Sequence, residues 1–410
     1  MPASHRLKSL EFLRAACALV VMLNHVYCEG SKVPQYGPIV AIAAYSVEAV
    51  MGFFVLSGCV IALQDYDDPK AYYRARLLRV LPIYYVVLGI SLIAMLACGT
   101  HFGAWQLIGN LFFLQSLDWN PLNPLRFFIP SWSLSFEIYY YTAFVAILLA
   151  PRLLVPLLLG SIGVGTVLYF LPEPPAPATW LLHAFSFFAM WLGGVLITRL
   201  TRRGNTVSLG TGAFMFTIGL CLAHVPFAEM RKFDFERLLG FSLGFAFLVW
   251  ALLSEALYGH QPQQRRFRLD LNFAQRVIVL AVTLGLLWLH SESHLGNKLA
   301  LTTVATLFAL WPSGLAATAG RVLRPATPLM LYVAGLSYAL YLVHYPLVQA
   351  FNALHPFPPV VDMFVVVGLS FVLAHALAYG LQPWIRNRLR PRRASSAMPA
   401  ATASKSNMRT

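Results

Sequence analysis

The chain has 410 residues, 58% of them hydrophobic and only 11% charged, with a mean hydropathy of +0.66. No stretch of about 100 residues lacks an apolar run, so no separate soluble domain is expected and the chain reads as a polytopic membrane protein. The formal charge of +14 does not point to nucleic acid, because the basic residues fall in short loops between apolar runs, where they act as topology signals. Five cysteines (Cys17, Cys28, Cys59, Cys98, Cys221) lie mostly inside those runs without paired spacing. They are expected to be small core residues, with no disulfide framework and no metal site.

The first apolar run, 9–28, contains LEFLRAACALVVMLNHVY. Arg14 interrupts it and no small-residue cleavage site follows, so a cleavable signal peptide is not expected. Arg14 and His25 are eleven residues apart, which returns a helix to within roughly 20° of the same face and separates them by about 16 Å along the axis. A cation and an imidazole on one stripe of a membrane helix predict a shared polar cavity; the plainer alternative is snorkelling to the two interfaces. The second run, 38–64, carries Glu48 near its middle and FFVLSG, with Ser57 and Gly58, further on. YYRARLLRVLP then leads into the run at 80–98 with Arg74, Arg76 and Arg79, of which Arg76 and Arg79 are an i, i+3 pair on one face. PSWSLSFEIYYY opens the run at 131–150 and contains Glu137.

Six further runs follow at 152–171, 180–199, 208–224, 237–256, 274–291 and 298–315. The run at 328–350 holds GLSYALYLVHYPL with His344, and 359–385 ends the series with His375 inside it. The runs at 208–224 and 298–315 are the weakest, so the expectation is an all-α bundle of ten to twelve transmembrane helices. No internal repeat and no inverted pair of broken helices is visible. Residues 1–390 form one transmembrane domain, and the Ser/Ala-rich basic tail 391–410 reads as disordered.

Orientation follows from the basic residues. With a cytoplasmic N-terminus, 23 of the 30 Lys and Arg fall on the inner side and 6 on the outer, which places both termini in the cytoplasm. The loop at 229–237 is the weak point of that count. In this frame His25, Glu137 and His344 converge at one depth in the outer third, while Arg14 and the Arg76/Arg79 pair lie toward the cytoplasm. His183, His224 and His290 fall at outer helix ends.

Five pieces carry a family resemblance: Arg14 with His25, FFVLSG, Arg76–Leu77–Leu78–Arg79, SWSLSFE ending at Glu137, and SYALYLVHYP with His344. In that order, over roughly residues 8–385, they resemble the family 3 integral-membrane acyltransferases, which O-acylate bacterial surface polysaccharides and other carbohydrates. The resemblance implies a core described as ten helices in the bacterial inner membrane. It implies an O-acetyltransferase moving an acyl group, acetyl first, from cytoplasmic acyl-coenzyme A to a hydroxyl of a cell-surface or exported carbohydrate. Some members carry an appended hydrolase-type domain, which is not expected here. No permanently bound cofactor is implied; acetyl-CoA is the donor substrate, and the lipid bilayer is the other partner.

Such a transfer needs a base near neutral pH and a cationic site for phosphates. His25 suits the first, with Glu137 expected to fix its tautomer and Arg14 beside it. Arg76 and Arg79 suit the second, since a guanidinium fork donates two parallel bonds to phosphate. His344, Ser57 and Glu48 are expected to line the substrate cavity. The bland readings are ordinary inner-interface anchoring for Arg76 and Arg79, and a buried helix-tying pair for Glu137 and His344. Direct transfer and an acyl-histidine intermediate both stay open. A proton-coupled secondary transporter using Arg14, His25, Glu137 and His344 as a relay is the alternative from another class.

Overall fold

A computed structural model describes residues 7–29, 37–66, 68–117, 122–170, 176–224, 235–259, 262–291 and 295–389. The tail expected to be disordered, and most of the 229–237 loop, lie outside these residues.

Helix α1 (Lys8–Leu23) continues as a π-helical segment, Asn24–Glu29, and is followed by α2 (Gly37–Ala43) and α3 (Ser46–Ala62). α4 (Pro69–Ala97) begins where the Asp68 carboxylate accepts from the backbone N–H groups of Lys70 (2.9 Å) and Ala71 (3.1 Å), with Pro69 at the first helical position. A short α5 (Ala104–Leu111) precedes a 3₁₀ segment, Arg126–Ser131, which runs straight into α6 (Trp132–Leu149). α7 (Leu154–Phe170) and α8 (Ala176–Arg202) complete the first half. α9 (Leu209–Leu222), α10 (Phe235–Tyr258), α11 (Phe273–His290), α12 (Leu295–Leu310) and α13 (Pro312–Leu323) follow. The chain ends in α14 (Thr327–Leu354), α15 (Pro359–His375), a second π-helical segment (Ala376–Leu381) and α16 (Gln382–Arg388).

Among the described residues, nine helical stretches are long and apolar enough to cross a membrane, and three shorter apolar helices join them: Ser46–Ala62, Leu209–Leu222 and Leu295–Leu310. The protein is therefore a helical polytopic membrane protein. Two of the three short helices are the runs that were weakest in the sequence. The third is short because the expected run at 38–64 breaks at Ala44–Tyr45, which moves Glu48 from mid-helix to the first turn of α3. One departure from an all-α fold is a pair of three-residue strands, β1 (Asn205–Val207) and β2 (Phe267–Leu269), joined in parallel.

The core is formed by α1, α3, α4, α6, α8, α10 and α14, with Trp191, Tyr72 and Tyr84 among its largest fully buried side chains. α11 to α13 keep most of their apolar side chains exposed, as lipid-facing helices do. The tightest crossing is α3 on α8. A Cβ on Gly58 would lie 2.0 Å from the Trp191 carbonyl oxygen, and one on Gly194 2.1 Å from that of Val55. Glycine at both points lets the backbones touch, and Thr198 Oγ1 donates across the contact to the Cys59 carbonyl at 3.2 Å. The α3–α4 loop is tied to α8 by the Asp65–Arg202 ion pair at 2.7 Å, which holds the Asp65 carboxyl below its ordinary range through the hydrogen bond and then the charge.

Candidate active site

α1 and α14 run in the same direction, and two bonds measure the match. Arg14 Nη2 donates to the Ala334 carbonyl at 2.8 Å, and His25 Nδ1 lies 2.8 Å from His344 Nε2. Eleven residues on α1 thus span ten on α14, and the π-helical segment carrying His25 takes up the difference. Such segments recur at functional sites because they re-aim a side chain without ending the helix. Arg14 also pairs with Glu11, one turn earlier, at 2.6 Å.

The imidazole pair has a direction. His344 is buried, and its Nδ1 lies 2.8 Å from the Leu340 carbonyl oxygen, which can only accept. His344 Nδ1 therefore carries the hydrogen, and in the neutral pair its Nε2 holds a lone pair that accepts from His25 Nδ1–H. His25 Nε2 is then left without a proton, as a base must be. The two rings stack with centroids 5.1 Å apart, and Tyr345 presents its ring edge-on to His25 at 4.9 Å.

Below this pair lies a cavity of about 900 Å³, part of it open to the exterior, walled by α1, α3, α4, α6 and α14. Arg76 and Arg79 line one end, Arg14, Ser57 and Glu137 the middle, and Phe53, Ser133 and Tyr341 the other end. Glu137 belongs to this cavity and not to His25. Its Oε1 accepts from Ser57 Oγ at 2.9 Å and from the Tyr141 hydroxyl, and Trp191 Nε1 donates to Ser57 Oγ at 3.4 Å. The expected His25–Glu137 pairing is thereby corrected: His344 occupies the place foreseen for the carboxylate. The reason lies in α6, whose span begins with the 3₁₀ segment at Arg126 rather than at 131. That added segment, kinked at Phe128, sets Glu137 further along its span than the run at 131–150 implies.

Arg76 is buried, and its partners are neutral: Nη2 donates to Gln64 Oε1 at 2.7 Å and to the Tyr66 hydroxyl, and the guanidinium lies over the Tyr66 and Tyr72 rings at 5.8 and 5.9 Å. Its Nε has no hydrogen-bond partner among the described residues, and no ion pair joins Arg76 or Arg79 to a carboxylate there. A buried cation held by neutral groups is a site with room for an anion's charge.

Two further expectations are corrected. Glu48 is fully buried near the His25 end of α3 and does not line the cavity. The continuous channel expected from Arg14 to His25 is interrupted: neither His25 nor His344 lines the cavity, which ends at Tyr341. The Tyr341 hydroxyl donates to the Pro130 carbonyl at 2.9 Å and lies 2.9 Å from Ser133 Oγ. Tyr141, Tyr341, Gln64 and Tyr66 were not singled out in the sequence. Tyr141 had a legible signal, four residues after Glu137, but Gln64 and Tyr66 reach Arg76 only through the fold.

The structure defines the class as a helical integral-membrane protein with a guanidinium-lined cavity beneath a paired imidazole. The chain belongs to the family 3 acyltransferases, whose model, described as an acyltransferase domain, matches residues 7–381. It is also 33% identical over 152 residues to the acyltransferase MdmB of Streptomyces mycarofaciens, a match covering 35% of this chain and 39% of that protein. The chain thus spans about two fifths of the length of this curated relative. No solved structure matches it.

Proposed function

We propose that this acyltransferase moves an acyl group, acetyl first, from cytoplasmic acyl-coenzyme A to a hydroxyl of a cell-surface or exported carbohydrate in a bacterial inner membrane. The observation that carries the reading is the directed pair His344–His25, which leaves His25 Nε2 bare. The acceptor hydroxyl gives its proton to Nε2 as its oxygen attacks the thioester carbonyl carbon. The tetrahedral intermediate then loses the C–S bond, and the leaving thiolate takes the proton from Nε2–H, returning a neutral imidazole and a free thiol. His344 holds the tautomer throughout, the part a carboxylate plays in a catalytic triad. Arg76 and Arg79 bind the donor's phosphates, and Arg14 extends that charge along the cavity.

Tyr341 stands between the donor cavity and the base, so the thioester reaches His25 when that side chain swings aside. His25→Ala is expected to lower the rate of acetyl-coenzyme A consumption with a sugar acceptor by about 100- to 10,000-fold in detergent-solubilised protein. Near-normal turnover in a folded His25→Ala protein removes His25 from the mechanism.

A further inference from the structure

Two hydrogen-bond acceptors face one another at the exposed end of the imidazole relay. His25 Nε2 carries a lone pair in the neutral pair, and the carboxylate oxygen Glu29 Oε1 lies 3.8 Å from it. Glu29 is four residues on in the same π-helical segment. The separation is too long for a hydrogen bond in either protonation state, and two acceptors do not satisfy each other. Each can therefore accept a proton donor from a third group. The Glu29 side chain is 48% exposed and that of His25 16%, so the gap opens on the rim and away from the arginine cavity. The Tyr345 ring, edge-on to His25, walls one side of it.

We propose that this rim is a subsite for a vicinal diol. The hydroxyl to be acylated donates to His25 Nε2, and its neighbour on the adjacent ring carbon donates to Glu29. A lone hydroxyl has one proton and satisfies one of the two acceptors. Two adjacent hydroxyls supply two protons at a spacing that suits acceptors 3.8 Å apart. The Tyr345 ring suits the C–H face of a sugar, and the Glu29 charge disfavours a carboxylate beside the reacting hydroxyl. Glu29 is a binding residue in this scheme: the neighbouring hydroxyl keeps its proton, and the transfer itself runs through His25. The inference rests on the acyl-transfer reading and adds which acceptors it selects.

The test uses the full chain in detergent with acetyl-coenzyme A and two ring probes, trans-1,2-cyclohexanediol and cyclohexanol, with coenzyme A release as the readout. Wild-type protein is expected to turn over the diol about tenfold faster or more, the scale of one hydrogen bond to a charged group. Because the Glu29 carboxylate lies 3.8 Å from the imidazolium formed with either probe, Glu29→Leu is expected to slow both, but the diol about tenfold more than cyclohexanol, and Glu29→Gln, whose amide oxygen still accepts, restores part of the preference. Equal wild-type rates on the two probes, or an equal fall on both in Glu29→Leu, overturn the diol subsite and leave acyl transfer standing. If neither probe and no sugar acceptor drives coenzyme A release in wild-type protein, the carbohydrate acyl-transfer reading falls and the subsite with it; release with a sugar but with neither probe overturns the diol subsite alone.

Discussion

The Leu340 carbonyl sets the hydrogen on His344, and His344 in turn sets the hydrogen on His25, so a peptide group on α14 decides which nitrogen of a side chain on α1 is basic. His344→Phe fills the space but removes the acceptor, and the loss in turnover is expected on the order of 100-fold. His344→Gln restores an acceptor oxygen and should recover part of it; equal rates in the two variants would show that packing, not the tautomer, matters at this position. At the other end of the cavity, Arg76 and Arg79 belong to the donor in the proposed mechanism. Arg76→Ala and Arg79→Ala are expected to raise the dissociation constant for coenzyme A about tenfold or more while leaving pantetheine, which lacks the phosphates, unchanged. Unchanged coenzyme A affinity in both variants would return these residues to membrane anchoring.

At the scale of the helices, the site depends on how closely backbones approach. Gly58→Ala drives a methyl group into the Trp191 carbonyl, and because α3 also carries Ser57, the cost should appear in both stability and the Glu137 environment. Overpacking of this kind costs on the order of 1–3 kcal/mol, and the expected readout is a lower unfolding temperature in detergent. A wild-type temperature would mean that α3 and α8 slide apart freely. The placement of most helices was legible, because an apolar run of spanning length is its own signal. So was the common stripe of Arg14 and His25, which both engage α14. Depth was harder to read. Glu137 was misplaced because a 3₁₀ lead-in has no hydropathy signature, and Glu48 because the break at Ala44–Tyr45 carries neither proline nor glycine. The α1–α14 pairing that joins His25 to His344 links residues 319 apart in sequence, and local pattern does not report such contacts. Glu29 sat in plain view at His25 plus four, but only the π-helical geometry showed the distance between them.

At the scale of the whole molecule, the polar groups of the candidate site fall into two stretches rather than one. The arginine cavity occupies one, the imidazole rim the other, and the Tyr341 hydroxyl, latched to the Pro130 carbonyl and beside Ser133, closes the gap. Any path that lets an acyl group through a bilayer also offers water and protons a route, and a cell membrane stores energy as a proton gradient. In the proposed mechanism the latch is then an insulator as well as a step in transfer. Tyr341→Ala should leave the bundle folded yet let proteoliposomes lose an imposed pH gradient faster than those holding wild-type protein, as followed by an entrapped pH dye. If the gradient decays at the wild-type rate, the electrical seal lies elsewhere in the bundle. On that reading, the latch lets the protein remain at rest in an energised membrane without short-circuiting it.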